Sequence, residues 1–306
     1  MKKIQKIPLL LFGIIATSVS AQTDVDAIMM AKRNLCGGFL IGTNSWTNYW
    51  EGKNYRNNEN IGVLKSNLVM AMVNYGISDK LNLIAAAPYI SNTASKGTLR
   101  GQQGIQDLSL TVKYEFLSKK FKNNYISLLA FGNFSTPLTD YVADYLPLAI
   151  GNQSNTLTGK LMGDFQRGRW FATASAGYTY RNNVIIDRDA YYTTEMIYSN
   201  EVEMPNLMGF NARIGYRKDA DLIVEAVFDQ MNTLGGFDMR KNEMPFLSNN
   251  MDMGRIGLNF KLPIPKVNGL SLLGNTMYTI SGRNVGRSTL FMTGLVYQVE
   301  FSKKSK

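Results

Sequence analysis

The feature that most constrains this chain is a strict alternation of polar and apolar side chains. In residues 105–116, IQDLSLTVKYEF, a polar or charged residue stands at every second position from Asp107 onward, and an apolar or aromatic residue stands between. Side chains of a strand point alternately to its two faces, so this segment is predicted to be a β-strand with one polar and one apolar face. The apolar face must meet either a second sheet or lipid.

Twelve segments are predicted to be strands, an even number, and no sustained helical period interrupts them. They are residues 37–49, 62–76, 81–91, 105–117, 125–135, 155–166, 170–182, 206–217, 222–232, 252–262, 270–281 and 288–301. Even-numbered segments are followed by short turns and odd-numbered segments mostly by longer loops. Outer-membrane barrels have short periplasmic turns and long extracellular loops, whereas a Greek-key sandwich has no reason to gather its long loops at one end. We therefore predict an all-β fold, a transmembrane antiparallel β-barrel of about 12 strands over residues 37–301.

The second face of the predicted strands carries charges of both signs. By parity, the following side chains point inward: Lys113, Glu115, Lys160, Asp164, Arg213, Arg217, Glu225, Arg255 and Lys261. Each would cost several kcal/mol to desolvate in a packed sandwich core, but a water-filled lumen can hold them. Two interpretations remain open. The charges either line a lumen that selects or orients solutes, or they pair across strands and fill a narrow barrel.

Aromatic residues lie close to the predicted short turns. Tyr75, Phe116, Trp170 and Tyr216 are each within two or three residues of such a turn. Amphipathic rings at these positions are typical of the aromatic girdle at a membrane–water boundary. The alternating apolar face of the last strand, residues 288–301, resembles the C-terminal signal by which bacterial outer-membrane proteins are recognised. We therefore expect outer-membrane lipid and, during biogenesis, the barrel-assembly machinery as partners.

The two ends of the chain have their own predicted roles. Residues 1–21 combine a basic start, an apolar stretch at 7–16 and small residues before Ala21, which predicts a secretory signal peptide cut after Ala21. The expected location is therefore the outer membrane of a Gram-negative bacterium. Residues 22–36 are predicted to be a periplasmic N-terminal segment or a plug in the lumen, and residues 302–306 a basic C-terminal tail.

Composition removes several classes of function. The chain has no histidine, so His-based catalytic triads and His metal ligands are excluded. Cys36 is the only cysteine and has no histidine partner, which makes a thiol nucleophile a poor hypothesis. The formal net charge of +10 includes three lysines of the signal peptide, and an exported chain rarely meets nucleic acid. We predict that the protein is not an enzyme, has no cofactor or metal, and binds no nucleic acid.

One predicted extracellular loop is unusually apolar. Residues 137–150, PLTDYVADYLPLAI, contain Thr139 or Asp140 as a possible N-cap of a short helix. The loop is predicted to fold into the mouth as a constriction or capture site, and the alternative is a loop that packs against its neighbours at the rim. The candidate residues are Asp140, Tyr141, Tyr145 and Leu146.

Two stretches resemble a known family. YGISDKLNLIAAAPY (75–89) has an aromatic residue, a glycine, a hairpin turn and an apolar strand, and GIQDLSLTVKY (104–114) has Gly and Asp before an alternating strand. Together they resemble outer-membrane transporters of the phenol-degradation MetA type, which are distantly similar to long-chain fatty-acid channels. The family usually has Gly directly before that Asp, but Gln106 intervenes here. The resemblance implies passage of small apolar or aromatic solutes and assigns no catalytic residue.

The expected function is passive passage of small solutes, apolar or aromatic by the resemblance, through an outer-membrane channel. The alternative is a non-transporting barrel whose loops at 137–154 and 183–205 bind a partner or a surface polymer. A secreted soluble sandwich is the third hypothesis. It requires the apolar strand faces to be covered by a second layer of the chain.

Overall fold

The computed structural model describes residues 25–218, 222–241 and 243–301, and the predicted signal peptide and C-terminal tail lie outside these ranges. Within them, twelve long antiparallel strands close into one barrel, which confirms the predicted fold class. In chain order the strands are β1 (Asn34–Trp46), β2 (Leu64–Ser78), β3 (Leu81–Ala94), β4 (Asp107–Phe121), β5 (Asn124–Pro137), β6 (Thr156–Arg167), β7 (Trp170–Arg181), β8 (Leu207–Lys218), β9 (Leu222–Thr233), β10 (Asp252–Pro263), β11 (Leu270–Arg283) and β12 (Thr289–Glu300).

The barrel closes because β1 pairs on both of its edges. Its residues from Asn34 to Ser45 pair with β12, and those from Leu35 to Trp46 pair with β2. Closure leaves no exposed sheet edge, so every strand can satisfy its backbone groups within the membrane. Pairing along the wall changes partner once among the described residues, where β3 leaves β4 after Ala86 and pairs instead with a short strand, Gln103–Ile105.

The two faces of each strand have the surroundings that the alternation predicts. On β4, Leu110 and Val112 are exposed on the outside, whereas Thr111 and Lys113 are buried on the lumen side. Among the described residues, the outward side chains have no second layer of the chain over them. The barrel is a single closed sheet, and its other face borders only the lumen. The sandwich hypothesis is therefore wrong.

The connections differ at the two ends of the barrel. Between β6 and β7 only Gly168 and Arg169 intervene, and Gly168 has a φ of 60°, which favours glycine. At the opposite end the loops are long and form their own structure. The 183–205 loop is a hairpin in which Val184–Ile185 pairs with Glu201–Val202, and farther out Tyr191–Tyr192 pairs with Met196–Ile197.

The predicted turn at 118–124 is shorter than expected. The β4 and β5 strands extend through it and pair from Phe121 with Asn124, so only residues 122 and 123 remain as the turn. Lys119 and Lys120 are exposed strand residues in this part of the hairpin, so the polar–apolar alternation does not extend to its tip. In the described ranges there is also no helix that is long and apolar enough to cross a membrane.

Candidate functional site

A mostly apolar cavity with a volume of about 480 Å³ lies in the lumen. One wall comes from β1–β3 and β12 and is apolar, with three methionines among its residues. The residues of that wall are Leu40, Met70, Met72, Ile84, Ala86, Pro88 and Met292. The other wall comes from β8–β10 and carries the charged residues Arg213, Arg217, Glu225 and Lys261. In a closed barrel of twelve strands, β2 and β8 are six strands apart, so the two walls face each other.

The three predicted lumen arginines each form an ion pair, two of them on the charged wall. Arg213 Nη1 lies 2.9 Å from Glu225 Oε1, and both side chains are buried. The Arg217 guanidinium lies 3.2 Å from Asp164 Oδ2 and 4.0 Å from the centre of the Phe171 ring. These contacts satisfy charges that would otherwise be costly to bury.

The third pair, between Arg255 and Asp229, is more exposed and has an N–O distance of 2.5 Å.

The remaining predicted lumen residues also lie on the inner face. Glu115 accepts a hydrogen bond of 2.8 Å from the hydroxyl of Tyr125. The Nζ atom of Lys160 lies 4.3 Å from the centre of the Phe131 ring. Lys261 is buried on β10 at the edge of the large cavity. The structure therefore places all nine predicted residues on the lumen side, and their role in transport stays a prediction.

Residues 25–30 of the N-terminal segment lie inside the lumen, and residues 31–33 are exposed at its short-turn end. Lys113, whose side chain is completely buried, donates to Asp26 Oδ1 at 3.0 Å and to the Ile28 carbonyl oxygen at 2.7 Å. With its amide oriented to satisfy both groups, Asn82 donates to Met30 O (3.2 Å) and accepts from Met30 N (2.7 Å). The segment is thus bound by side chains of the barrel wall at two successive points.

This segment separates two cavities. Val25 and Asp26 line the 480 Å³ cavity, and residues 27–29 line a second cavity of about 510 Å³. The second cavity is bordered by Gly168 and Lys218, which lie at the short-turn end of the barrel. Arg217 lines both cavities, so its side chain borders each of them.

The predicted mouth loop folds back on the barrel. The hydroxyl of Tyr141 donates to Asp107 Oδ1 at 2.7 Å and accepts from Gln153 N at 2.9 Å. Burial, followed by the hydrogen bond to Asp107, raises the pKa of Tyr141 above its usual value. Asp140 accepts from the side chain of Gln153 at 2.6 Å. Tyr141 thereby fixes the loop to the first residue of β4.

The end of this loop packs over the barrel rim. Leu148 is buried against Ile61 and Leu64, with Tyr145 beside them. Leu146 packs against a larger apolar cluster that joins the loops after β5, β7 and β9. That cluster consists of Tyr141, Ala143, Ile150, Val184, Ile186, Tyr191, Val202, Met204 and Leu247. The loop contains no helix in the described structure, and Thr139 Oγ1 instead donates to the Ile105 carbonyl oxygen, so the suggested helix is wrong.

A polar network at the rim was missed by sequence reasoning. Arg283 donates twice to Asp238, at 2.7 and 2.8 Å, and this contact lowers the pKa of Asp238 below its usual value. Asn284 donates to the same carboxylate and accepts from Gly52 N, so three loops are joined at one point. Nothing in the sequence spacing of these residues indicates that they meet.

The apolar wall was also missed, although a signal was present. Met70, Met72 and Ile84 stand at inward positions by the same parity that identified the charges.

Among the described residues, no group of three or more Cys, Asp or Glu side chains is arranged to hold a metal ion.

Fold and lumen together define a transmembrane β-barrel of the outer-membrane type. The fold is similar to that of the COG4313 outer membrane channel from Pseudomonas putida F1, with a TM-score of 0.72 at 12% sequence identity over 91% of this chain and 100% of that one. Weaker similarity is found to the NanC porin (TM-score 0.45, 8% identity, 85% of this chain and 100% of that one). It is also found to the translocator domain of the autotransporter NalP from Neisseria meningitidis (TM-score 0.43, 8% identity, 90% of both chains).

No family model matches this chain, and neither does any curated protein. The structural similarity therefore supports the fold, and the specific resemblance to the MetA type stays a prediction.

Proposed function

We propose that this protein is an outer-membrane channel through which small solutes diffuse down their concentration gradient. The observation that carries the proposal is the chain of adjoining cavities inside the barrel. Arg217 lines both the 480 Å³ and the 510 Å³ cavity, and Ser109 and Thr111 line the larger apolar cavity and a third one of about 210 Å³. Polar and charged side chains along this route keep the lumen wet.

The proposed surroundings of the channel are outer-membrane lipid on its outside and the barrel-assembly machinery during biogenesis. The exposed apolar residues of the strands, such as Leu161 and Ile214, fit lipid contact. The proposal includes neither an enzymatic activity nor a cofactor.

We further propose that residues 25–30 act as a plug between the two large cavities. The contacts of Lys113 with Asp26 and of Asn82 with Met30 hold the segment across the lumen. The segment has little secondary structure of its own, so its position depends on these wall contacts. The loop at 137–150 is the proposed constriction at the other end, where Tyr141 and Leu148 tie it to the rim.

The test is a liposome-swelling assay on the purified, reconstituted full chain, with neutral and charged solutes of graded size. We expect swelling with solutes that fit the lumen, and a faster rate when residues 22–29 are deleted. Absence of permeability for every solute, in both proteins, would refute the channel.

A second candidate function is a non-transporting barrel whose loops bind a partner. The observation that favours it is the packed cluster of extracellular loops around Val202 and Tyr191, which is an ordered surface of its own. This candidate predicts no swelling with either protein, and binding that is lost when the 183–205 hairpin is shortened.

A further inference from the structure

The short-turn end of the barrel carries an arginine beside two aromatic rings on one face of the sheet. Arg167, the last residue of β6, pairs directly with Trp170, the first residue of β7, and Trp170 pairs with Tyr216 on β8. The rings of Trp170 and Tyr216 meet edge to face, with centroids 5.8 Å apart. Residues that are directly paired across neighbouring strands share a face, so the three side chains lie on the same face of the wall.

That face is the outer one. Arg167 has the same parity as Leu161, an exposed residue in the middle of β6, and Tyr216 has the same parity as Ile214, an exposed residue of β8. Trp170 is itself 69% exposed. Arg167 and the two rings therefore lie on the surface for which lipid is the proposed surroundings.

Further cations border this surface. Arg169, in the turn between β6 and β7, borders the 510 Å³ cavity, but its Nη1 atom donates to the Tyr216 hydroxyl at 2.9 Å, so its guanidinium lies beside the same ring. Lys119 on β4 stands in one row of cross-strand pairs with Phe165, an exposed residue of β6, and therefore also points outward. The tip of the β4–β5 hairpin adds the exposed Lys122. We call these cations the basic patch: Lys119, Lys122, Arg167 and Arg169.

The described strands place no carboxylate beside the basic patch on the outer face. The acidic residues of β4–β8 are Asp107, Glu115 and Asp164, and all three lie on the lumen side. Within the described ranges, no cation of the patch forms an ion pair. The aspartates of the turn after β8, Asp219 and Asp221, lie outside the described residues. The patch is thus a source of positive potential on the outer surface of the barrel.

From this arrangement we infer that the basic patch binds the headgroups of anionic phospholipids such as phosphatidylglycerol. Interfacial tryptophan and tyrosine rings lie at headgroup depth, which brings Arg167 to the level of the lipid phosphates. The planar fork of an arginine matches two oxygens of a phosphate. A zwitterionic headgroup carries its own ammonium, which offsets this attraction, whereas phosphatidylglycerol keeps a net negative charge.

The leaflet concerned is the one at the short-turn end, which is the periplasmic leaflet in barrels of this type. An anionic polymer of the periplasm fits the patch less well, because Arg167 and Lys119 stand among outward-facing apolar and aromatic side chains rather than at the open end of the lumen. The inference deepens the lipid surroundings of the proposed function and rests on them, but it does not depend on permeation.

The test is quenching of the Trp170 fluorescence by brominated lipids, with the full chain in phosphatidylcholine bilayers. Trp46 and Trp50 also fluoresce, so the Trp170 signal is taken as the difference between the wild-type protein and Trp170→Phe. We expect brominated phosphatidylglycerol to bind beside Trp170 at least about fivefold more tightly than brominated phosphatidylcholine, the factor expected from one basic side chain at an anionic lipid surface. The preference should weaken between about 0.1 M and about 1 M salt, because the Debye length falls from about 10 Å to about 3 Å.

The decisive variant combines Arg167→Gln with Lys119→Gln, two exposed outward positions. We expect its preference for phosphatidylglycerol to fall below about twofold, because the cations nearest the outward-facing rings are removed. The matched control combines Arg100→Gln with Lys241→Gln, which removes two exposed cations from the long loops at the other end and changes the net charge equally. The control should keep the wild-type preference. If the decisive variant does not fold, Arg167→Lys keeps the charge, loses the fork and should give a smaller loss.

Equal quenching by the two lipids in the wild-type protein would overturn the inference, and so would a preference that survives in the Arg167→Gln/Lys119→Gln variant. Sedimentation of the wild-type protein with purified peptidoglycan, lost in that variant and without any lipid preference, would assign the patch to the polymer and overturn the inference as well. The channel is tested separately, because neither Arg167 nor Lys119 lines a lumen cavity and the variant should swell liposomes like the wild type. A lipid preference without permeability would refute the channel and leave the headgroup site.

Discussion

The substitution Asp26→Asn is expected to release the N-terminal segment from the lumen. In the wild-type structure the ammonium of Lys113 has no exposed surface, and the Asp26 carboxylate is 3.0 Å away. Asparagine keeps an acceptor oxygen at this point but removes the counter-charge. The change therefore removes a counter-charge from a buried cation, which keeps the Ile28 carbonyl as an acceptor.

The size of the effect follows from the burial of the pair. Breaking a buried ion pair by neutralising one partner costs about 3–5 kcal/mol. The lower end applies here, because the Ile28 carbonyl and the new amide still accept hydrogen bonds from Lys113. About 3 kcal/mol corresponds to a shift of roughly 150-fold in the equilibrium between docked and released segment. A channel that is open about 1% of the time would then be open roughly 60% of the time.

The assay is single-channel recording in planar bilayers, with open probability as the readout. The double variant Asp26→Asn/Lys113→Gln is the control, since two amides can hydrogen-bond each other and leave no buried charge. We expect its open probability to return most of the way to wild type. An Asp26→Asn channel that opens no more often than wild type would refute the proposed plug or its dependence on this pair.

Three further predictions concern the barrel wall, the N-terminal segment and the loop at 137–150. Leu161→Arg, at a position 64% exposed in the middle of β6, should destabilise the barrel in vesicles by about 2–4 kcal/mol in denaturant unfolding, whereas Leu234→Arg in a loop should have little effect. Gly76→Ala should displace the N-terminal segment, because an added Cβ would overlap its backbone, and should raise conductance. Gly159→Ala, at a position with open space around an added Cβ, should leave the conductance unchanged. Tyr141→Phe should cost about 1–3 kcal/mol of loop stability and speed proteolysis of the mouth loop, and an unchanged cleavage rate would contradict the role of its hydroxyl.

The barrel could be predicted from the sequence because its strands obey a period of two and its loops alternate in length. The exposed Leu110 and the buried Thr111 differ only in parity, and an even strand count lets the first and last strands pair antiparallel when the sheet closes. The extension of β4 to Phe121 could not be predicted in this way. Lipid imposes the alternation only within the bilayer, so the pattern gives no boundary for a hairpin that continues into water.

The partners of the lumen charges could not be predicted either. Arg217 on β8 pairs with Asp164 on β6 and therefore reaches across β7. That contact depends on how far neighbouring strands are staggered, which parity does not specify. The sequence does not decide between a periplasmic segment and a plug for residues 22–36 for a related reason, since a segment without periodicity is positioned by single contacts such as the one between Asp26 and Lys113.

The placement of the two cavity walls on opposite sides of the lumen follows from parity and the strand count. Inward methionines can be assigned from parity on β2, and inward arginines from parity on β8, without knowledge of any contact. In a closed ring of twelve strands, elements six places apart stand on opposite sides, so β2 and β8 are opposite once the strand count is fixed, and the stagger of the strands brings Met70 and Arg213 to the same cavity. The cavity between them exists because the thioethers and the ion-paired arginines do not meet across the lumen. A barrel with two strands more would move the same walls farther apart without changing a single lining residue.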